Sequence, residues 1–157
     1  PEEEVIAPGQ TADALIFGMG RVGSGAYHVL DERLGCKVLG VDFQRASVER
    51  QRKQGLNVIH GSATDPDFWE RIDLDCQSIK LVLLAMPQVQ ENIFAAQQLG
   101  ELGYGGKIAA VAKFPDEIVL LEEAGVHAAF NLYAEAGAGF AEHVYQSLMV
   151  PAGNAES

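Results

Sequence analysis

Apolar runs of strand length alternate with amphipathic stretches of helix length from Asp13 to about residue 149, and this alternation predicts an α/β fold. Two further observations narrow it. The strand candidates are continuous apolar runs, as strands buried on both faces of a parallel sheet are. The first run leads directly into glycines spaced G-x-G-x-x-G, at Gly18, Gly20 and Gly23. Together they predict a Rossmann-like, doubly wound parallel sheet of six strands in the order 3-2-1-4-5-6, with helices on both faces.

In chain order, the strands are expected at 13–18 (DALIFG), 37–42 (KVLGVD), 57–60 (NVIH), 80–86 (KLVLLAM), 107–113 (KIAAVAK) and 128–132 (AAFNL). Helices fill the intervals at 22–34, 45–54, 66–71, 88–102, 116–123 and 137–149. Gly35, Gly55, Gly103 and Gly125 follow helices as stops, and Pro66, Pro87 and Pro115 sit at or near first-turn positions. Asp65, just before Pro66, reads as an N-cap.

The chain of 157 residues suits one domain, read here as 13–149, with an acidic linker over 1–12 and a tail over 150–157. Cys36 and Cys76 have no C-x-x-C spacing, which favours a reducing, cytoplasmic setting with structural thiols. A formal charge of -11 without any basic block argues against a nucleic-acid partner. The longest apolar run, IKLVLLAMP at 79–87, falls short of the roughly 20 residues a membrane helix needs. The sequence starts at Pro1, so a processed or excised piece of a longer chain is expected.

The glycine loop, Gly18-Met19-Gly20-Arg21-Val22-Gly23, is where a phosphate is expected. Gly18 would permit the tight turn, Gly20 a close approach of backbone to phosphate, and Gly23 close packing of the first helix. Free N–H groups and the dipole at that helix's N-terminus would hold the anion. Arg21 reads as a phosphate contact or as an ordinary helix-surface arginine. Asp42 lies at the end of the second strand, nineteen positions after Gly23. It is expected to accept the hydroxyl protons of an unphosphorylated ribose, the alternative being a solvated strand end.

An AMP- or NAD-like ligand is thus preferred over an NADP-like one, although Arg45 keeps the latter open. Phe43 adjoins this position. Gly61, Ser62 and Ala63, in the turn after strand three, would flank an adenine ring or form a plain turn. Ala85 and Met86 end strand four with modest bulk, leaving a crevice where the strand order reverses. Lys113, at the end of strand five, could bind an acidic ligand, act catalytically, or pair with a carboxylate such as Glu135.

No catalytic set stands out. His28, His60, His127 and His143 lack metal-ligand spacing, and each is expected to be structural or on the surface. Ser24 follows the glycine loop and lies outside any G-x-S-x-G elbow. Six strands and their helices use the chain through about residue 149, leaving little for a substrate domain. Hydride transfer by an NAD-dependent oxidoreductase, or a fragment of one, is therefore the second reading, and no enzyme the first.

The succession ALIFGMGRVG, VLGVD, GLNVIHGSATD, LVLLAMP, KIAAVAK and LEEAGVHAAF resembles, in order and spacing, the RCK or KTN (TrkA-N) family of cytoplasmic nucleotide-binding domains. Within that family it looks most like the C-terminal domain of Kef-type, glutathione-regulated potassium efflux systems. The resemblance implies an adenine nucleotide, AMP or NAD(H), held by Gly18, Gly20, Gly23, Asp42, Gly61 and Ala63. It implies a homodimer formed through a sheet edge and a crossing last helix; the face that Phe140, Ala141, Val144 and Leu148 share on that helix fits either packing on its own sheet or a partner's groove. It also implies a membrane-embedded potassium transporter or channel as the regulated partner, on the same or a separate chain, with the domain on the cytoplasmic side of an inner membrane. Two positions depart from the family pattern. Ser62 stands where a G-D-A-T motif has Asp, and Lys113 where arginine is common, giving up bidentate geometry for a point charge.

Overall fold

A computed structural model describes residues 12–72 and 78–152. Residues 1–11 of the expected linker, Cys76 and the last five residues of the tail lie outside the described residues. Ala12, read as the linker's end, is buried in the core at 3% exposure.

The sheet is parallel and six-stranded, in the order β3-β2-β1-β4-β5-β6. Its strands are β1 (Ala14–Phe17), β2 (Val38–Asp42), β3 (Val58–His60), β4 (Leu81–Leu84), β5 (Lys107–Ala112) and β6 (Ala128–Asn131). The fold is the Rossmann-like one that the alternation predicts. All four residues of β1 are buried, because this central strand is covered on both faces. One core cluster gathers Leu15, Phe17, Trp69, Val82, Leu84 and Leu99. The other joins Ile16, Met19, Tyr27, Val48 and Val58 on the opposite face.

The helices are α1 (Arg21–His28), α2 (Arg45–Lys53), α3 (Pro66–Arg71), α4 (Val89–Glu101), α5 (Pro115–Glu123) and α6 (Leu132–Leu148). Asp65 caps α3, its carboxylate accepting from the Asp67 amide at 3.0 Å, as its place before Pro66 predicts.

Three boundaries differ from expectation by more than one residue. The first helix leaves α-geometry at His28 and continues as a π-helical turn over Val29–Arg33. That wider turn lets Gly35, at φ +69°, steer the chain down so that the Cys36 amide reaches the Leu30 carbonyl at 2.8 Å. Strand β4 stops at Leu84, which leaves Ala85 and Met86 in the loop above the sheet. The last helix starts at Leu132, five residues before the expected start at 137. Asn131 Oδ1 accepts from the Ala134 amide at 2.9 Å, so the helix springs straight from β6 and takes Gly137 and Gly139 into its interior.

Candidate functional site

Strand order reverses at β1, whose neighbours are β2 and β4, so the connections leaving β1 and β4 depart to opposite faces. Between them, at the carboxyl edge, lies a cavity of about 640 Å³. Its floor includes the Phe17 ring, stacked on Trp69 with centroids 5.2 Å apart.

The glycine loop forms one lip. Gly18 has φ +95°, and a Cβ there would also lie 2.7 Å from the Ala85 carbonyl oxygen, so turn and packing both require glycine. A Cβ on Gly23 would collide with the Gly18 carbonyl oxygen, which is why α1 can pack so closely against the loop. Gly20, the N-cap of α1, would meet nothing within 4 Å; its bareness serves the open space of the cavity. The first intrahelical bond runs from the Ser24 amide to the Gly20 carbonyl at 2.8 Å. The amides ahead of Ser24 therefore form the donor end of the helix.

Asp42 stands at the tip of β2 facing that lip. Its Oδ2 accepts from the Met19 amide at 2.8 Å and its Oδ1 from the Gln44 amide at 2.9 Å. A carboxylate offers about four acceptor sites, so two remain for further donors. Beyond it, the turn after β3 is held in three places. Trp69 Nε1 donates to the Ala63 carbonyl at 2.6 Å, the Ser62 and Thr64 hydroxyls pair at 2.9 Å, and the Phe68 ring fills the space a Cβ on Gly61 would take.

A family model for the TrkA-N domain matches residues 14–132. The chain belongs to the TrkA-N domain family. Among solved structures, the NAD(P)-binding domain of an exopolyphosphatase-related protein from Archaeoglobus fulgidus aligns with a TM-score of 0.75 at 20% identity, over 86% of this chain and 98% of that one. The GsuK channel bound to NAD gives 0.70 at 20% identity over 82% of this chain, which spans 23% of the channel's. The Kef CTD of Shewanella denitrificans in AMP-bound form gives 0.65 at 16% identity, over 91% of this chain and 85% of that one. At such identities these likenesses speak to fold. No curated protein matches the sequence.

Most of the expected site residues of this TrkA-N domain do meet at the cavity. Gly18, Gly20, Arg21 and Val22 line one lip, and Asp42 and Phe43 the end of β2. Gly61, Ser62 and Ala63 form the next stretch of wall, while Ala85, Met86 and Lys113 lie across from them. Three expected residues do not line it. Met19 is buried at 2% exposure beneath the loop, against Gly40, and contributes main-chain groups alone. Gly23 is buried behind the lip. Arg45 turns aside, its Nη2 lying 3.3 Å from His60 Nδ1, while His60 Nε2 lies 3.0 Å from the Phe43 carbonyl.

The other histidines are spread over the fold. His127 Nδ1 accepts from the Ile108 amide at 3.0 Å, tying the entry of β6 to β5. His28 faces Glu32 on the helix surface, and His143 is exposed on α6. Among the described residues no group of three His, Cys, Asp or Glu side chains could hold a metal ion.

Sequence reading overlooked the far half of the cavity. Glu91, on the first turn of α4, and Leu132 and Tyr133, at the root of α6, complete its wall with Val111. Glu91 carries no motif; only the sheet order brings the first turn of α4 beside the glycine loop. Leu132 and Tyr133 were misplaced together with the start of α6. Lys113 lies past the end of β5, its amide donating to Glu117 Oε1 at 2.7 Å, and Glu135 is not part of the cavity wall. No helix of the described residues is long and apolar enough to cross a membrane.

Proposed function

We propose that this TrkA-N domain is a ligand-sensing regulatory module: its cavity takes an adenine nucleotide, AMP or NAD(H), and its occupancy gates a membrane-embedded potassium efflux transporter or channel. One observation carries the ligand class. The donor end of α1 and the acceptor-only Asp42 face a common space, with lone pairs of Asp42 still open. A group with an anionic end and neighbouring hydroxyls, as a ribose phosphate has, satisfies both at once. The AMP-bound Kef CTD and the NAD-bound GsuK channel share the fold and support this choice.

Sensing requires that the ligand bind two arrangements with different affinity. Leu132 and Tyr133 put the root of α6 in the cavity wall, whereas α6 buries no residue against its own chain. Phe140, Tyr145 and Leu148 are 72%, 59% and 76% exposed. A second copy covering this face forms a homodimer, and a ligand at the root of α6 shifts how the two copies sit. The domain then works on the cytoplasmic side of an inner membrane, attached to the transport protein it regulates.

Calorimetric titration with AMP, NAD and NADH tests the first step. Binding that weakens about tenfold in Asp42→Ala is the expected outcome, equivalent to about 1.4 kcal/mol. Absence of binding at millimolar ligand sinks the reading. Potassium flux through the transport protein carrying Asp42→Ala tests the second step, with loss of nucleotide response expected.

A further inference from the structure

Two polar residues are buried among the described residues, Gln51 at 6% and Asn92 at 2% exposure. Each reaches the main chain of one lip of the cavity. Gln51, one turn after Val48 on the inner face of α2, donates through Nε2 to the Met19 carbonyl at 2.8 Å. The amide of that same residue donates to Asp42. Both main-chain groups of the residue between Gly18 and Gly20 are thus clamped, the amide by Asp42 in the cavity wall and the carbonyl by Gln51 from behind. The peptide orientation on which the exposed amides of α1 depend is fixed by a side chain outside the cavity wall.

Asn92 repeats the device on the opposite lip. Its Oδ1 accepts from the Met86 amide at 3.1 Å and its Nδ2 donates to the Met86 carbonyl at 3.1 Å. Asn92 opens the buried stripe of α4, which continues with Ala95, Ala96 and Leu99. An apolar residue would extend that stripe, but it would leave the loop after β4 without its tether.

Stability alone does not favour glutamine at position 51. Its Oε1 is buried with no hydrogen-bond partner among the described residues, and an unpaired buried acceptor is unfavourable. Methionine has nearly the same length and leaves no amide oxygen behind. Replacement exchanges one unpaired acceptor, Gln51 Oε1, for another, the Met19 carbonyl, so the balance for folding is close to neutral.

We propose that Gln51 and Asn92 are positioning residues of the nucleotide site, holding the glycine loop and the loop after β4 at the separation a ligand needs. The inference rests on the nucleotide reading above. It is tested by measuring Kd for AMP and for NAD, together with Tm, on the wild type, Gln51→Met, Asn92→Leu and Asn57→Leu. Asn57 serves as control because its Nδ2 donates to the Val38 carbonyl at 3.1 Å, at the amino end of β2 and away from the cavity.

Gln51→Met is expected to keep Tm within about 3 °C of the wild type while weakening both ligands about tenfold. Asn57→Leu is expected to lower Tm and leave both Kd values within about threefold. A loss below about threefold in Gln51→Met overturns the inference, as does an equal loss in Asn57→Leu. Asn92→Leu leaves two main-chain groups of Met86 unpaired; should it fail to fold, Gln51→Met decides alone. A wild type that binds neither ligand overturns the nucleotide reading itself, an outcome distinct from tight binding that survives in the variants.

Discussion

An added Cβ at Gly23 would run into the Gly18 carbonyl, whereas one at Gly20 would meet nothing of the protein within 4 Å. The two glycines of one motif therefore make opposite predictions. Gly23→Ala forces α1 off the loop and is expected to cost about 3 kcal/mol of stability, read as a lowered urea midpoint. Gly20→Ala should leave stability within about 0.5 kcal/mol of the wild type yet weaken AMP binding, because its methyl group would occupy ligand space. Equal loss of stability in both variants would contradict this division. Asp42 also works inward and outward, holding the Met19 and Gln44 amides while offering its remaining lone pairs to the cavity. The outward role proposed for it rests on its position at a strand end after a glycine loop, which the sequence shows. Its grip on Met19 was not, because the two lie 23 residues apart and only the pairing of β1 with β2 brings them together.

Among the elements, those with strong end signals were read best. Asp65 before Pro66 marks the start of α3, and Asp65→Ala is expected to cost about 1 kcal/mol, measurable by thermal denaturation. The last helix was read late, from 137 on, and it carries two interior glycines that cost about 1 kcal/mol each against alanine. A cap at Asn131 and a helix of 17 residues override them. This shift bears on function, since it takes Leu132 from the expected end of strand six and Tyr133 from the interval after it into the helix at the cavity wall, and joins both to the exposed apolar face of α6. Should that face pair with a second copy, Phe140→Glu would place carboxylates in the interface. A shift from dimer to monomer in analytical ultracentrifugation, with the helix content retained, is the expected outcome.

For the molecule as a whole, a ligand that binds the folded form alone raises stability by mass action. AMP at a hundred times its Kd is expected to add about 2.7 kcal/mol, which for a domain of this size raises Tm by roughly 5–10 °C. No rise at saturating ligand would mean that the cavity is not a nucleotide site.

The sequence by itself determined the layer architecture, because runs buried on both faces and helix-length intervals admit little besides a doubly wound parallel sheet. It also determined where the glycine loop and Asp42 fall, since their spacing is local to one βαβ unit. The tertiary structure alone decided which further residues share the cavity with them. Glu91, Tyr133, Gln51 and Asn92 come from helices distributed along the chain, and only the strand order sets their neighbours. Polar residues on amphipathic helices read as solvent-facing, so burial of Gln51 and Asn92 behind the two lips follows from packing, which no single helix specifies.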